Sequence, residues 1–431
     1  MATEHLEVER KYDVDAEQAV PDLTGVVTGV VVGARQEQAL VATYLDTDDL
    51  RLRAARTTLR HRTGGSDAGW HLKLPAGIGR REIQSSAAPP PAGVPDELLQ
   101  LIRSVLRRAP LAPVAELRTT RTVHPVQDGT GRILLELVDD RVEGIPVGGE
   151  PVRWREWEAE LVAGDEVLLD AVEQRLLAAG AQVATSSSKL ARVLAARPSA
   201  ARPVEVDKRS TATDAVQAHL AEHVHELVQR DPDVRRDQPD AVHKMRVATR
   251  RLRSALSTFR PMLDREVTDP LREELRWLAG VLGQARDAEV LRDRLLALVD
   301  AEPPELVLGP VRTKVDDLLH RRYRHALAAV HDELDGDRYL DLLDALTAVV
   351  DAPPWLPAGD GRARDVLPPL VARADRQLRR AVRAAEAEGA PDEALHEVRK
   401  LAKRLRYACE AVQPALGRPA RRLASAATQL Q

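Results

Sequence analysis

His5-Leu6-Glu7-Val8-Glu9-Arg10-Lys11-Tyr12 is the stretch on which the rest of the chain turns. Read as a strand, it places Glu7, Glu9 and Lys11 on one face and Leu6, Val8, Arg10 and Tyr12 on the other, because strand side chains alternate with a period of two. Two carboxylates and an ammonium in one row suit a wet, charged cavity that holds a cation beside an anion. They do not suit an apolar core.

The same charged face recurs downstream. Strands are predicted over 26–32, 39–45, 57–62, 70–74, 80–84, 116–123, 132–140 and 153–162. Arg60 and Arg62 share one face of their strand, with Leu59 and His61 on the other. Lys73 lies opposite the apolar Trp70, Leu72 and Leu74. Glu82 shares a face with Arg80, and Arg118 and Arg121 follow on a later strand. Glu136 and Asp139 are carried by the next strand, and Glu156, Glu158 and Glu160 alternate strictly on the last. Acidic rows suit a hard divalent cation, which takes oxygen ligands. Basic rows suit phosphate oxygens, which arginine forks match. Together they point to chemistry at a phosphoanhydride. Short helices are expected over 96–108 and 167–179, with a break at Pro89-Pro90-Pro91 and a helical or turn segment opening at Ser188-Lys189.

The chain has 431 residues, enough for two or three domains, and 30% of them are charged, yet its net charge is only −4. Charge asymmetry is therefore local. Aromatic residues are 3% of the total, which disfavours a stacking surface for nucleic acid. The single cysteine, Cys409, excludes an intrachain disulfide and a thiolate metal cluster. The opening residues lack a basic segment followed by an apolar run, and no stretch is long and apolar enough for a membrane span. The default expectation is a cytoplasmic protein with no membrane partner.

After the proline-containing segment 197–203 the apolar period becomes helical. Helices are expected over 213–230, 240–260, 267–300, 310–334, 337–350, 363–388, 391–412 and 418–431, broken at Pro232, Pro261, Pro303-Pro304, Pro353-Pro354 and Pro414. Within them a motif repeats. His243, Arg246, Arg250 and Arg253 have the spacing of His396, Arg399, Lys403 and Arg406. On a helix the first three of each set stack on one face, where like charges repel unless they meet an anion. Neither histidine has a second His or a thiolate four residues on, so zinc is not indicated there. Further basic clusters occur at Arg321, Arg322, Arg324 and His325, and at Arg376, Arg379 and Arg380.

Over about residues 4–196 the chain resembles the CYTH domain, the triphosphate tunnel metalloenzyme fold. The resemblance rests on Glu7-x-Glu9-x-Lys11, Tyr44-Leu45-Asp46-Thr47, Leu59-Arg60-His61-Arg62, Lys73, Glu82, Arg121, Asp139, Glu156-x-Glu158-x-Glu160 and Ser188-Lys189. It implies an eight-stranded antiparallel β tunnel barrel, with Mg²⁺ or Mn²⁺ held by Glu7, Glu9, Asp139 (or Asp140), Glu158 and Glu160. It also implies a triphosphate gripped by Lys11, Arg60, Arg62, Lys73, Arg121 and Lys189, with Glu82 bracing the basic row. Glu7, Glu9 and Lys11 would form the catalytic centre. Thr119 departs from the family pattern, in which many members are basic, and Arg118 has the wrong parity to replace it.

Residues from about 212 onward resemble the CHAD domain, through the two His-Arg helices and Leu282-Gly283-Gln284-Ala285-Arg286-Asp287. This implies an all-α helical bundle whose His243, Arg246, Arg250, Arg253, His396, Arg399, Lys403 and Arg406 contact inorganic polyphosphate. The expected organisation is a barrel domain over 1–197, a linker over 198–211 and a helical domain over 212–431. The helical domain stops where the second repeat's counterpart of the Leu282–Asp287 segment should begin, as if C-terminally truncated. The expected activity is metal-dependent hydrolysis of a triphosphate, inorganic triphosphate first, with localisation on polyphosphate granules as a corollary. A non-catalytic polyphosphate or anion scaffold and adenylate cyclase-type chemistry are the alternatives.

Overall fold

The computed structural model describes residues 3–77, 79–86, 93–195, 205–387 and 391–430. It divides into two compact units, Met1–Ala200 and Ala201–Gln431. The expected break at Pro89-Pro90-Pro91 and the first part of the expected linker, 198–204, lie outside the described residues.

In the first unit an antiparallel sheet of eleven strands is formed by β1 (Thr3–Glu7), β2 (Glu9–Asp13), β3 (Val31–Val32), β4 (Gln36–Asp46), β5 (Thr58–Thr63), β6 (Gly69–Pro75), β7 (Arg80–Ser85), β8 (Ala112–Gln127), β9 (Ile133–Pro146), β10 (Val152–Leu161) and β11 (Gln182–Val183). The count exceeds the expected eight for two reasons. β1 and β2 are one ribbon interrupted at Val8, and β3 and β11 are two residues each. The strand order is β1-β7-β6-β5-β4-β8-β9-β10-β2-β11, with β3 on β8. The N-terminal ribbon thus pairs with β7 through its first half and with β10 through its second, and the sheet curls between them.

One expectation fails locally. Residues 26–32 are a strand only at Val31–Val32. Gly25 (φ 70°) and Gly29 (φ 82°) take left-handed backbone, and Val30 N–H donates to the Val27 carbonyl, so the valines make a turn. They still bury apolar surface: Val30 is in the core, with Val26, Val27 and Val32 packed against it.

The apolar strand faces point outward onto helices, which leaves the charged faces inside the curl. α1 (Arg51–Ala54) is a single turn after Asp46, whose buried carboxylate accepts N–H bonds from Thr47, Leu52 and Arg53 at 2.7–2.9 Å. α2 (Asp96–Leu106) lays Leu98, Leu101 and Ile102 on Leu59, Trp70, Leu72 and Ile83. α3 (Glu166–Ala178) lays Leu168, Leu169, Val172 and Leu176 on Tyr12, Leu137 and Trp157. α4 (Lys189–Val193) is capped by Ser188, whose hydroxyl accepts from Ala191 N–H at 3.1 Å. It packs Leu190 and Val193 beside Val142.

The second unit is helical: α5 (Ala212–Arg235), α6 (Ala241–Thr258), α7 (Arg265–Ala301), α8 (Val311–Asp335), α9 (Asp337–Asp351), α10 (Ala363–Ala385), α11 (Asp392–Leu416) and α12 (Arg418–Gln429). One apolar core, including Leu220, Met245, Leu252, Leu278, Leu343 and Leu405, joins them, and α6 packs against α5, α7 and α11. Two expected breaks are absent: Pro232 lies inside α5 and Pro414 inside α11. Each is flanked by buried core residues (Leu227 and Val234; Val412 and Ala415), so packing overrides the lost backbone bond. α11 ends instead at Gly417, whose φ of 66° only glycine adopts readily. No described helix is long and apolar enough to cross a membrane.

Gly144 of β9 has no room for a side chain, since an added Cβ would lie 2.2 Å from Val193 Cγ2. Gly144→Ala should push α4 off the sheet and cost about 1–3 kcal/mol, the usual range for overpacking. Thermal unfolding beside the wild type measures it.

Candidate functional site

Inside the curl lies a cavity of about 240 Å³. Strand order decides its polarity. β1, β2, β10 and β9 are neighbours or continuous, and they bring in Glu7, Glu9, Glu158, Glu160 and Glu136. β5, β4 and β8 are also neighbours, and they bring in Arg60, Arg62, Tyr44 and Arg121. Lys73 from β6, Arg80 and Glu82 from β7, and Lys189 at the start of α4 complete the wall.

Most of these charges are already paired. Arg60 donates to Tyr44 Oη at 3.0 Å and lies 3.7 Å from Glu82. Arg62 pairs with Asp67. Arg121 grips Asp140 with two bonds, at 2.8 and 2.7 Å, and reaches Glu158 at 3.2 Å. Lys73 holds Glu7 at 2.5 Å, and Lys11 holds Glu9 at 2.9 Å and also Glu158. Lys189 sits among Asp140, Glu156 and Glu158 at 3.0, 2.6 and 2.7 Å. That buried trio has the spacing of a metal site, but an internal cation already fills it. Glu82 meets His71 at 2.7 Å and His5 at 3.2 Å. Burial alone would raise the Glu82 carboxyl, but Lys73, His5, His71 and Arg60 outweigh it and hold it well below the usual carboxylate range.

Glu160 is different. The ladder puts it directly opposite Glu9 on one side and Glu136 on the other, three carboxylates in a row. Like charges directly opposed destabilise a sheet. Glu160 has no ion-pair partner among the described residues, and burial, then Glu7, then Glu9 and Glu158 against Lys73, push its carboxyl up to about 7. Burial likewise raises Glu136. The deficit of positive charge is therefore local to Glu160 and Glu136, and with Glu7 and Glu9 on the same wall the oxygen donors there fit a hard divalent cation.

Of the residues singled out in the sequence, Glu7, Glu9, Lys11, Arg60, Arg62, Lys73, Glu82, Arg121, Glu158, Glu160 and Lys189 all line the cavity. Asp139 does not, and this corrects the expectation from the sequence. It lies on the apolar face of β9 with Leu135 and Leu137, where Arg155 grips it with bonds of 2.8 and 2.9 Å. Its neighbour Asp140 points inward, fully buried against Arg121 and Lys189. The parity of Glu136, two positions from Val138 and four from Asp140, carries that signal. Arg118 is exposed and pairs with Glu116 at 2.9 Å, so it does not stand in for Thr119. His5, Gln36, Gln38 and Gln84 also line the cavity, though no sequence motif marks them.

In the second unit α6 and α11 bring the two repeats together. Lys403 is depressed by burial, then by Arg250, Arg399, Arg406 and Arg246, which places basic groups of both repeats within one field. Tyr407 anchors them. Its hydroxyl accepts from Arg250 Nε at 2.9 Å, and the guanidinium groups of Arg250, Arg251 and Arg406 lie 5.6, 5.5 and 4.9 Å from its ring centroid. Arg246 lies over Gly283 of α7, 3.7 Å from where a Cβ would stand. His243 is lowered by burial, then Arg286, Arg250 and Arg246. Arg253 sits farther along α6, beside Arg276 and Arg272. His396 is exposed. The clusters at Arg321–Arg324 and Arg376–Arg380 are largely solvated faces, with Arg324 on Asp237 and Arg379 on Asp375.

Comparison with known proteins accords with this division. A CYTH domain model matches residues 5–194 and a CHAD domain model matches residues 218–431. An uncharacterised protein of Mycobacterium tuberculosis (strain CDC 1551 / Oshkosh) is 40% identical over 429 residues, 94% of this chain and 82% of its own. The chain belongs to the proteins that join a CYTH domain to a CHAD domain. Among solved structures it is similar to the CHAD domain of the plant Ricinus communis (25% identity, TM-score 0.44, 54% of this chain and 77% of that one). It is also similar to PptA from Streptomyces chartreusis (24%, TM-score 0.42, 51% and 81%). These loose overlaps carry nothing about activity.

Glu160 yields a pH signature in the metal-free protein. Its folded value, about 7, exceeds the ordinary 4.5, so its contribution to stability is complete below 4.5 and is lost as pH rises through 7. In chelator, Glu160→Gln should flatten the fall in melting temperature across that window. Melts at stepped pH with both proteins check it.

Proposed function

We propose that the first unit hydrolyses a triphosphate, inorganic triphosphate before others, in a metal-dependent reaction within the cavity. The second unit binds polyphosphate through the basic cluster between α6 and α11. The observation that supports the first part is Glu160, which has no ion-pair partner among the described residues and stands between Glu9 and Glu136, three carboxylates in a row, in the same cavity as Arg60, Arg62 and Arg121. A pure anion receptor has no use for such a row.

Mg²⁺ or Mn²⁺ held by Glu7, Glu9 and Glu160 beside Glu136, with Glu158 a further ligand if its lysines turn to phosphate, would neutralise charge on the phosphate chain and orient water. Asp140 and Glu156 act instead on Lys189, which they hold in place. Arg60, Arg62 and Arg121 stay charged and supply planar forks for phosphate oxygens. Lys11 and Lys73 neutralise Glu7, Glu9 and Glu158 in this arrangement and serve phosphate oxygens when a triphosphate binds. Glu82, held far below neutrality, keeps Arg60 and Lys73 oriented. In-line attack of water on a terminal phosphorus then needs charge stabilisation already built into the wall, and no covalent nucleophile. Tyr44 is the one phenyl-type ring among the described lining residues, and its hydroxyl is engaged by Arg60. That favours an inorganic substrate over a stacked nucleoside and over cyclase chemistry.

In the second unit the cluster leaves Arg399 exposed, and Lys403 lies within reach of four like charges. Such crowding is costly without a polyanion. Bound polyphosphate would hold the protein on polyphosphate deposits.

Phosphate release from inorganic triphosphate should require Mg²⁺ or Mn²⁺ and fall roughly 100-fold or more in Glu7→Gln/Glu9→Gln. Undiminished release in chelator, or in the double variant, would remove the hydrolase reading. Arg250→Ala/Lys403→Ala should weaken polyphosphate binding about 10-fold and flatten its salt dependence, with triphosphate turnover unchanged. Polarisation titrations with labelled polyphosphate measure this.

A further inference from the structure

The geometry assigns a transition-metal site, for Zn²⁺ or another borderline divalent ion, to His219, Glu222 and His223 on α5. The site belongs to the second unit and is independent of the cavity chemistry of the first.

The three residues stand at i, i+3 and i+4, on one turn of helix. One donor atom from each lies within 4.8 Å of the other two. Two imidazoles and a carboxylate form a donor set for zinc, with a fourth position left for water or another ligand. It is a poor set for Mg²⁺, which prefers oxygen. The His243 and His396 motifs lack this spacing. His219-x-x-x-His223 has it.

Burial supplies the second observation. His219 is 7% exposed, and its Nε2 is buried with no hydrogen-bond partner among the described residues. An orphaned buried polar atom of this kind costs about 1–3 kcal/mol. An ion bound at that nitrogen would remove the cost, whereas two histidines that merely pack would leave it standing. His223 is 3% exposed, with its ring centroid 4.4 Å from that of His219 and the planes nearly perpendicular. Glu222 is exposed and opens the site to solvent.

The surrounding charges permit a cation. Burial, then His223 and Arg251, pushes His219 down to about 3, and burial, then Arg251 against Glu226, pushes His223 down to about 4. Arg251 reaches this face from α6, but Glu410 of α11 pairs with it at 3.0 Å. Glu226, one turn along α5, is itself paired with Arg230 at 2.8 Å.

The test is calorimetric titration of the full chain with Zn²⁺, in excess Mg²⁺ to occupy the carboxylates of the first unit. Wild type should bind one Zn²⁺ that His219→Leu and His223→Leu each weaken by more than ~100-fold, beyond the 10–100-fold typical of outer-shell partners. Glu222→Gln, at an exposed position, should weaken it measurably while leaving the fold intact. Folded leucine variants that keep wild-type affinity would overturn the assignment, as would a wild type whose zinc binding is unchanged by Glu222→Gln. Should the leucine variants fail to fold, Co²⁺ absorption decides. A four-coordinate spectrum in wild type that changes in Glu222→Gln supports the site, and its absence or insensitivity sinks it.

Discussion

The first unit depends on one ribbon that serves both ends of a sheet. Exposed strand edges present unpaired N–H and C=O groups, and proteins must cover or close them. Here residues 3–7 pair with β7 and residues 9–13 pair with β10, with the chain passing from one partner to the other at Val8. The Val8 carbonyl still accepts from Leu161 N–H at 2.9 Å, so the interruption does not leave it orphaned. Because the same ribbon carries His5, Glu7, Glu9 and Lys11 on one face, curling the sheet and assembling the acidic wall are one event.

The curl creates an inverted molecule. Trp70, Trp157, Tyr12 and the leucines of α2 and α3 make apolar cores outside the sheet, while the interior holds ionised groups. Isolated charges in such a place would be prohibitively costly. They persist because most have an opposite partner: Lys189 with Asp140, Glu156 and Glu158, Arg121 with Asp140, and Lys73 with Glu7. Glu160 departs from this pattern, and it is informative because the rest of the lattice is so well balanced. Its raised proton affinity and its place between Glu9 and Glu136 mark where positive charge is short. The charge lattice is thus balanced except at that one acidic corner.

The helical unit reaches a comparable concentration of charge by another route. Two copies of one helix motif are brought face to face, so that arginines of both surround Tyr407 and Lys403. The repulsion this builds up is borne by the shared apolar core and offset in part by Glu410, which pairs with Arg251 and lies 3.4 Å from Arg406. Anion binding would relieve it.

Much of this is legible in the chain before any fold is known. Period-two alternation assigns Glu7, Glu9 and Lys11, Arg60 and Arg62, and Glu158 and Glu160 to single faces, and the helical period locates the eight long helices within a few residues. Alternation follows from local backbone geometry, so a sequence carries it without help. Where local signals mislead, a non-local force has won, or glycine has. Glycine backbone breaks the valine run at 26–32, and core packing carries α5 and α11 through Pro232 and Pro414. Strand parity with Glu136 favours Asp140 over Asp139 for the interior, and Arg155 on the neighbouring strand shows why Asp139 belongs outside. Local alternation is enough to say which charges share a face. Which faces meet follows from long-range contacts: the neighbouring of β9, β10 and β2, the delivery of Lys189 by α4, the orphaned nitrogen of His219. Side-chain direction is set within a few residues, whereas strand order, register and burial are set by contacts between residues far apart in the chain.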